Sequence, residues 1–226
     1  MDIGTVLGAV AIAVAIAVPV SIEALKRPRL EIVPSPWSPQ GPVGWTFATV
    51  QIRNKPLAAP LARLLTRQAA QGCVVEIDYF EWGTTKRVFP TVPGRWSSHQ
   101  EPIRSVPSPP VDPFTSTVVT GGTASISTEP GFSAVYDRTL DPPQHDVPVS
   151  QDGEEVAVAI LRAGEAFAFS TESYDHNAWG NPAWRLQRGS TYCIVVGVRG
   201  SNVEHKEAFR LEYLTDDFSK FRLLSA

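Results

Sequence analysis

From Ile3 to Ile22 the chain runs twenty residues without a charged side chain, IGTVLGAVAIAVAIAVPVSI. About 20 apolar residues suffice for a helix to cross a bilayer core. The middle of the run, AVAIAVAIAV, alternates as a strand does. A lone strand leaves its backbone groups unpaired in lipid, so a helix is the expected form. Pro19 lies near the end, where a kink costs little. Residues 1–25 therefore read as a transmembrane anchor meeting the lipid bilayer through residues 3–22. Gly4, Gly8, Ala11 and Ala15 fall on one helical face with a G-x-x-x-G spacing, a candidate surface for homo-oligomer contact.

The flanks set the expected orientation. A cleaved export signal carries basic residues before its apolar core, whereas here only Met1 and Asp2 precede it. The first basic cluster, Lys26, Arg27 and Arg29, follows the span. Positive residues stay on the cytoplasmic side, which puts the C-terminal part in the cytoplasm. The competing reading is an uncleaved or atypical export signal, with Val18–Ser21 and Ala24 as small residues for a cleavage region. Residues 26–104 carry +6 and residues 105–226 carry −7, while the first 25 carry −2. A basic half next to the anchor suits an anionic leaflet. The net charge of −3 excludes a strongly basic nucleic-acid binder, so no nucleic acid is expected as a partner.

Beyond the anchor the periodicity changes from helical to two. Twenty prolines in 226 residues argue against an all-helical domain. Leu30, Ile32 and Pro34 open a short strand. Residues 46–53 alternate with Ala48, Val50 and Ile52 inward. Residues 73–80 alternate with Cys73, Val75, Ile77 and Tyr79 inward, followed by a turn and a hairpin partner at 86–89. Between them, good helix formers from Pro60 to Ala70 with Gly72 as a stop predict one short helix. Residues 102–148 hold nine prolines and form the least regular stretch, with an edge hairpin expected around Gly121-Gly122. Val156, Val158 and Ile160, then 166–169, then Tyr192–Val198, then Phe209–Tyr213 supply further strands. Seven or more short strands predict an antiparallel sandwich in a single domain, 26–226.

Leu186-Gln187-Arg188-Gly189-Ser190-Thr191-Tyr192, followed by inward Ile194, Val196 and Val198, resembles the tyrosine-corner strand of fibronectin type III and immunoglobulin-like domains. The resemblance covers about thirteen residues and implies an immunoglobulin-like β-sandwich in which the Tyr192 hydroxyl returns to a nearby backbone group. It departs from antibody domains, because Ile194 stands where they carry a cysteine. It implies a fold and no particular activity.

The side chains that carry chemistry are scattered. Cys73 is in phase with the core and Cys193 out of phase, so the two face opposite ways and are expected as free thiols. The histidines are His99, His145, His176 and His205, and none has a metal-ligand spacing. Asp141, His145 and Asp146 form one polar cluster, and Glu172, Asp175, His176 and Asn177 another. Both suit a divalent ion, and both are also explained as solvated turn residues. No nucleophile-elbow, phosphate-loop or dinucleotide motif occurs, so no catalytic residue, metal or cofactor is assigned.

Six tryptophans remain, several in Gly/Pro-rich loops. Exposed loop aromatics stack on sugars or anchor protein partners, whereas buried ones plug the ends of a sandwich. Arg95, Trp96, Trp179 and Trp184 are the candidate binding surface, and Lys26, Arg27 and Arg29 the membrane-proximal basic one. The expectation is a membrane-anchored, non-catalytic interaction or scaffold module. An exported ligand-binding module that stacks a glycan on loop tryptophans is the alternative.

Overall fold

The computed structural model describes residues 3–35, 44–99, 101–107, 132–176, 179–215 and 217–226, with backbone alone for 3–13, 105–107, 132–134 and 138. The expected hairpin around Gly121-Gly122 lies outside the described residues. The chain begins with helix α1, Ile3–Lys26, which continues through Pro19. At 1.5 Å per residue its 24 residues extend about 36 Å. The side chains of residues 3–13 lie outside the description, and among the described residues no helix is long and apolar enough to cross a membrane.

Strands then dominate. In chain order they are β1 (Leu30–Pro34), β2 (Trp45–Asn54), β3 (Ala70–Glu81), β4 (Val92–Pro93), β5 (Arg95–Trp96), β6 (Ile103–Pro107), β7 (Phe132–Tyr136), β8 (His145–Val147), β9 (Glu154–Arg162), β10 (Glu165–Ala168), β11 (Arg185–Leu186), β12 (Ser190–Arg199), β13 (Glu204–Tyr213) and β14 (Phe221–Ser225). One antiparallel sheet has the order β1-β2-β9-β10-β11, with β5 against the first part of β9. The other has the order β14-β13-β12-β3-β4, with β8 on the start of β3. A separate hairpin joins β6 to β7.

The two sheets enclose one core. Ala48, Val50 and Ile52 of β2 face in as their alternation predicts, and meet Cys73, Val75, Ile77 and Tyr79 of β3 and Ile194, Val196 and Val198 of β12. Their burial removes a continuous apolar layer from water, the main favourable term in folding. Tyr79 is fully buried, and its hydroxyl donates to the carbonyl of Val158. The Tyr192 hydroxyl accepts from the Gln187 N–H at 2.6 Å and lies 3.4 Å from the Gln187 carbonyl. That is the return to the backbone expected at this corner.

Two expectations change. β9 does not simply alternate, because Val156 through Leu161 are all buried. Ala48 faces Ala159 and Thr49 faces Ala157, so Val158 is an extra residue and a β-bulge. Past the bulge the inward parity switches, and Ala159 and Leu161 join Val156 and Val158 in the main core. Ala157 and Ile160 turn instead into a second, aromatic cluster with Phe47, Phe167, Phe169, Tyr174 and Trp179.

The helix predicted over 60–70 is only one turn, α2, Ala59–Ala62, with no buried side chain. A short helix gains its stability from a packed face, which α2 lacks. Ala70 instead opposes Val147 in the pairing of β3 with β8, fully buried.

Candidate functional site

The most concentrated polar chemistry lies where the chain changes sheets. Val92–Pro93 pairs with β3 and Arg95–Trp96 pairs with β9, so Gly94 crosses from one sheet to the other. A Cβ at Gly94 would stand 2.6 Å from Val75 Cγ1, a close approach that glycine alone permits. The crossing delivers Arg95 inward, and the turn after β5 presents His99. A 3-10 turn, Arg138–Leu140, brings Asp141 to the same place. His145 comes from β8 opposite Cys73, and Glu154 is the first residue of β9.

Most of these side chains form one hydrogen-bonded network, which runs from Arg95 through Asp141 and His99 to His145. Asp141, 6% exposed, accepts from Arg95 Nε at 3.1 Å, from Thr171 Oγ1 at 2.6 Å and from His99 Nδ1 at 3.0 Å. Arg95 also donates to the His99 carbonyl at 2.9 Å, and its guanidinium lies 5.3 Å from the centre of the Tyr174 ring. His99 Nε2 is 3.0 Å from His145 Nδ1, and His145 Nε2 is 3.6 Å from the Glu154 carboxylate. The 3.0 Å contact between the rings holds a single proton, because one nitrogen must donate and the other accept. The arrangement ties the 137–147 excursion to both sheets.

A cavity of about 140 Å³ opens beside the network, with Arg95, Ser97, His99 and Glu101 on its polar side and Tyr174 and Trp179 on its aromatic side. Trp179 holds a left-handed backbone (φ +59°), uncommon for a bulky side chain. Its ring is fixed by Tyr174 at 4.8 Å and Trp45 at 5.0 Å. Burial pushes the Tyr174 hydroxyl above its ordinary range.

A larger apolar cleft of about 810 Å³ lies between the outer strands of the two sheets. Pro34, Phe47 and Ala48 line one wall, and Phe218, Phe221 and Leu223 the other. Among the described residues strand β14 pairs only with β13, so its far edge there is a row of backbone groups without a ladder partner beside the cleft. Residues 36–43 and 216, its neighbours in sequence, lie outside the described residues.

No protein-family model, no curated protein and no solved structure matches this chain.

Of the two readings of the loop aromatics, the structure places the residues singled out in the sequence as buried ones. Arg95, Trp96, Trp179 and Trp184 are 7%, 1%, 7% and 8% exposed, so they present no open stacking face. The apparent loop at 94–98 is partly strand, and its aromatic side chain fills the core edge. Trp82, 43% exposed, is instead the open tryptophan among the described residues. Arg27 and Arg29 are exposed and Lys26 is half-buried. Of the small-residue face, Ala15 is exposed, while the side chains of Gly4, Gly8 and Ala11 lie outside the description.

Cys73 is buried and Cys193 half-buried, both free. Asp141 is not a solvated turn residue but the centre of a buried network. Among the described residues no group of three or more His, Cys, Asp or Glu is placed to hold a metal ion. Nothing in the spacing of Arg95, His99, Asp141, His145 and Glu154 marks them as partners, because only the sheet crossing brings them together.

Proposed function

We propose that this chain is a single-pass membrane-anchored, immunoglobulin-like β-sandwich that works as a non-catalytic interaction or scaffold module on the cytoplasmic face. The strand neighbours β1-β2-β9 and β13-β12-β3 follow the A-B-E and G-F-C order of that superfold, and Tyr192 makes the corner bond. The observation that carries the interaction reading is the apolar cleft beside the edge of β14 that has no ladder partner among the described residues. An extended peptide adds to such an edge through its backbone and places alternate side chains in the cleft. The twenty uncharged residues of 3–22 and the basic cluster after them support the anchor and its orientation.

A photo-crosslinking residue at Leu224 tests the cleft in cells. A discrete adduct with one polypeptide, lost on Leu223→Asp, is the expected result, and no adduct at all would count against it. Labelling of Cys193 by an impermeant thiol reagent in lysate but not in intact cells is expected for a cytoplasmic domain. The glycan-binding alternative relies on Arg95, Trp96, Trp179 and Trp184, whose burial leaves it without an open aromatic platform.

A further inference from the structure

Strands β1 and β2 are antiparallel, with Leu30 opposite Asn54. The β2–β3 connection, residues 55–69, therefore lies at the same end of the sheets as the junction between α1 and β1. Backbone bonds fix it there, because Lys55 N–H donates to the Arg29 carbonyl at 3.0 Å and Gln68 N–H to the Lys26 carbonyl at 2.7 Å. Asn54 braces the junction from within, accepting from Arg29 N–H at 3.1 Å and donating to the Gln68 carbonyl at 2.9 Å.

Two properties set this connection apart. Leu61 is 37% exposed and Leu64 is 81% exposed. Outside α1, the other large apolar side chains this open among the described residues are Trp82 and Leu214, both beyond the opposite ends of β3 and β13. From Arg53 to Val75 the chain has no acidic residue but carries Arg53, Lys55, Arg63 and Arg67. Arg67 Nε is buried with no hydrogen-bond partner among the described residues. Burial and the neighbouring Arg29 hold that guanidinium below its ordinary value, as two cations with no carboxylate between them should. Glu31 at this end is already paired with Lys55 at 2.6 Å. The other two turns here, 148–153 and 200–203, carry a single charge, Asp152, so the basic character belongs to 26–29 and 55–69.

We infer that the 55–69 connection is a second membrane contact: Leu61 and Leu64 enter the interface of the bilayer while Arg27, Arg29, Arg63 and Arg67 bind anionic phospholipid headgroups. The inference rests on α1 being the anchor. Leucines below a basic collar are the composition of an interfacial segment, and a single helix leaves a domain free to swivel unless a second contact holds it. The contact would hold the sheets at a fixed angle and direct the β14 cleft away from the membrane.

The test uses the full chain with Cys193→Ser and Leu64→Cys, carrying an environment-sensitive fluorophore at residue 64. It is reconstituted in phosphatidylcholine vesicles with and without phosphatidylglycerol. Flotation of the chain with the vesicles is read first. A chain that floats should show a blue-shifted fluorophore, quenched by nitroxide lipids, in the phosphatidylglycerol vesicles. Most of that quenching should be lost on Arg63→Glu with Arg67→Glu. The same fluorophore on Trp82→Cys, at the far end of the sheets, should remain unquenched, and unchanged circular dichroism should accompany every variant. Floating chains whose residue 64 is no more quenched than residue 82 would overturn the inference and leave the anchor standing. A chain that does not float would overturn both.

Discussion

Gly94 shows how much of this fold depends on one missing methyl group. A Cβ there meets Val75 at 2.6 and 2.7 Å and Val156 at 3.2 Å, one neighbour from each sheet. Both valines are fully buried and have no room to retreat. Gly94→Ala should therefore destabilise the domain by about 1–3 kcal/mol, the range for overpacking, measured by urea unfolding. Asp141 is the corresponding polar position. Its removal leaves Arg95 and His99 without their shared acceptor in a buried setting, and Asp141→Ala should cost about 3 kcal/mol or more in the same assay.

Cys73 adds a pH dependence. Burial first, and then the Asp146 carboxylate, push its thiol up to about 11. The folded state thus holds the thiol proton more tightly than the unfolded chain, whose thiols titrate near about 8.5. The stability from this group is complete below that value and is lost as pH rises toward 11. Unfolding free energy should fall across the alkaline range, and less steeply in Cys73→Ala. In native protein a thiol reagent should count Cys193 alone.

Among the elements, β12 and β14 form the sharpest contrast. β12 is paired on both sides, with β3 and β13, and alternate side chains are fully buried. Among the described residues β14 has one neighbour and β1 has one. Amides of residues 193–198 should exchange slowest with deuterium, and those of β1 and β14 orders of magnitude faster, since edge strands open locally without global unfolding. Hydrogen-exchange mass spectrometry reads this directly. The elements also show where periodicity was a sufficient guide. β3, β12 and β13 match their alternation because one face is core and a slip of one residue would reverse it, while β2 keeps Ala48, Val50 and Ile52 inward but also buries Phe47 and Thr49 on its other face. β9 was half legible, since a bulge switches parity without leaving a mark in composition. The helical pattern over 60–70 shortens to one turn because propensity there has no packed face to support it.

At the scale of the molecule, the two sheets are held as one unit by the Gly94 crossing, by β8 and by the hydrogen-bonded network of Arg95, Asp141, His99 and His145. Trp96 and Trp184 sit in the main core, and Trp179 sits in the aromatic cluster on the other face of β9. Tryptophan fluorescence and far-ultraviolet circular dichroism should therefore report one coincident urea transition. A separate early fluorescence step would mean that the aromatic cluster unfolds by itself.

The residues by themselves determined the strand-rich class, the inward faces of the central strands, the return of the Tyr192 hydroxyl to a nearby backbone group and the opposite facing of the two cysteines. Each follows from local alternation or from a contact only a few residues long. Only the tertiary structure decided that Arg95 and Trp96 are buried, that Asp141, His99 and His145 form a hydrogen-bonded network, and that a cleft opens beside β14. Those facts depend on partners more than 40 residues apart in sequence. Such partners meet because one glycine lets a strand change sheets, and no spacing along the chain encodes that meeting. The uncharged run near the N-terminus belongs between the two cases. Its sequence predicts a helix, which the structure shows as α1, and the fold adds that residues 55–69 lie at the end where that helix joins the sheets.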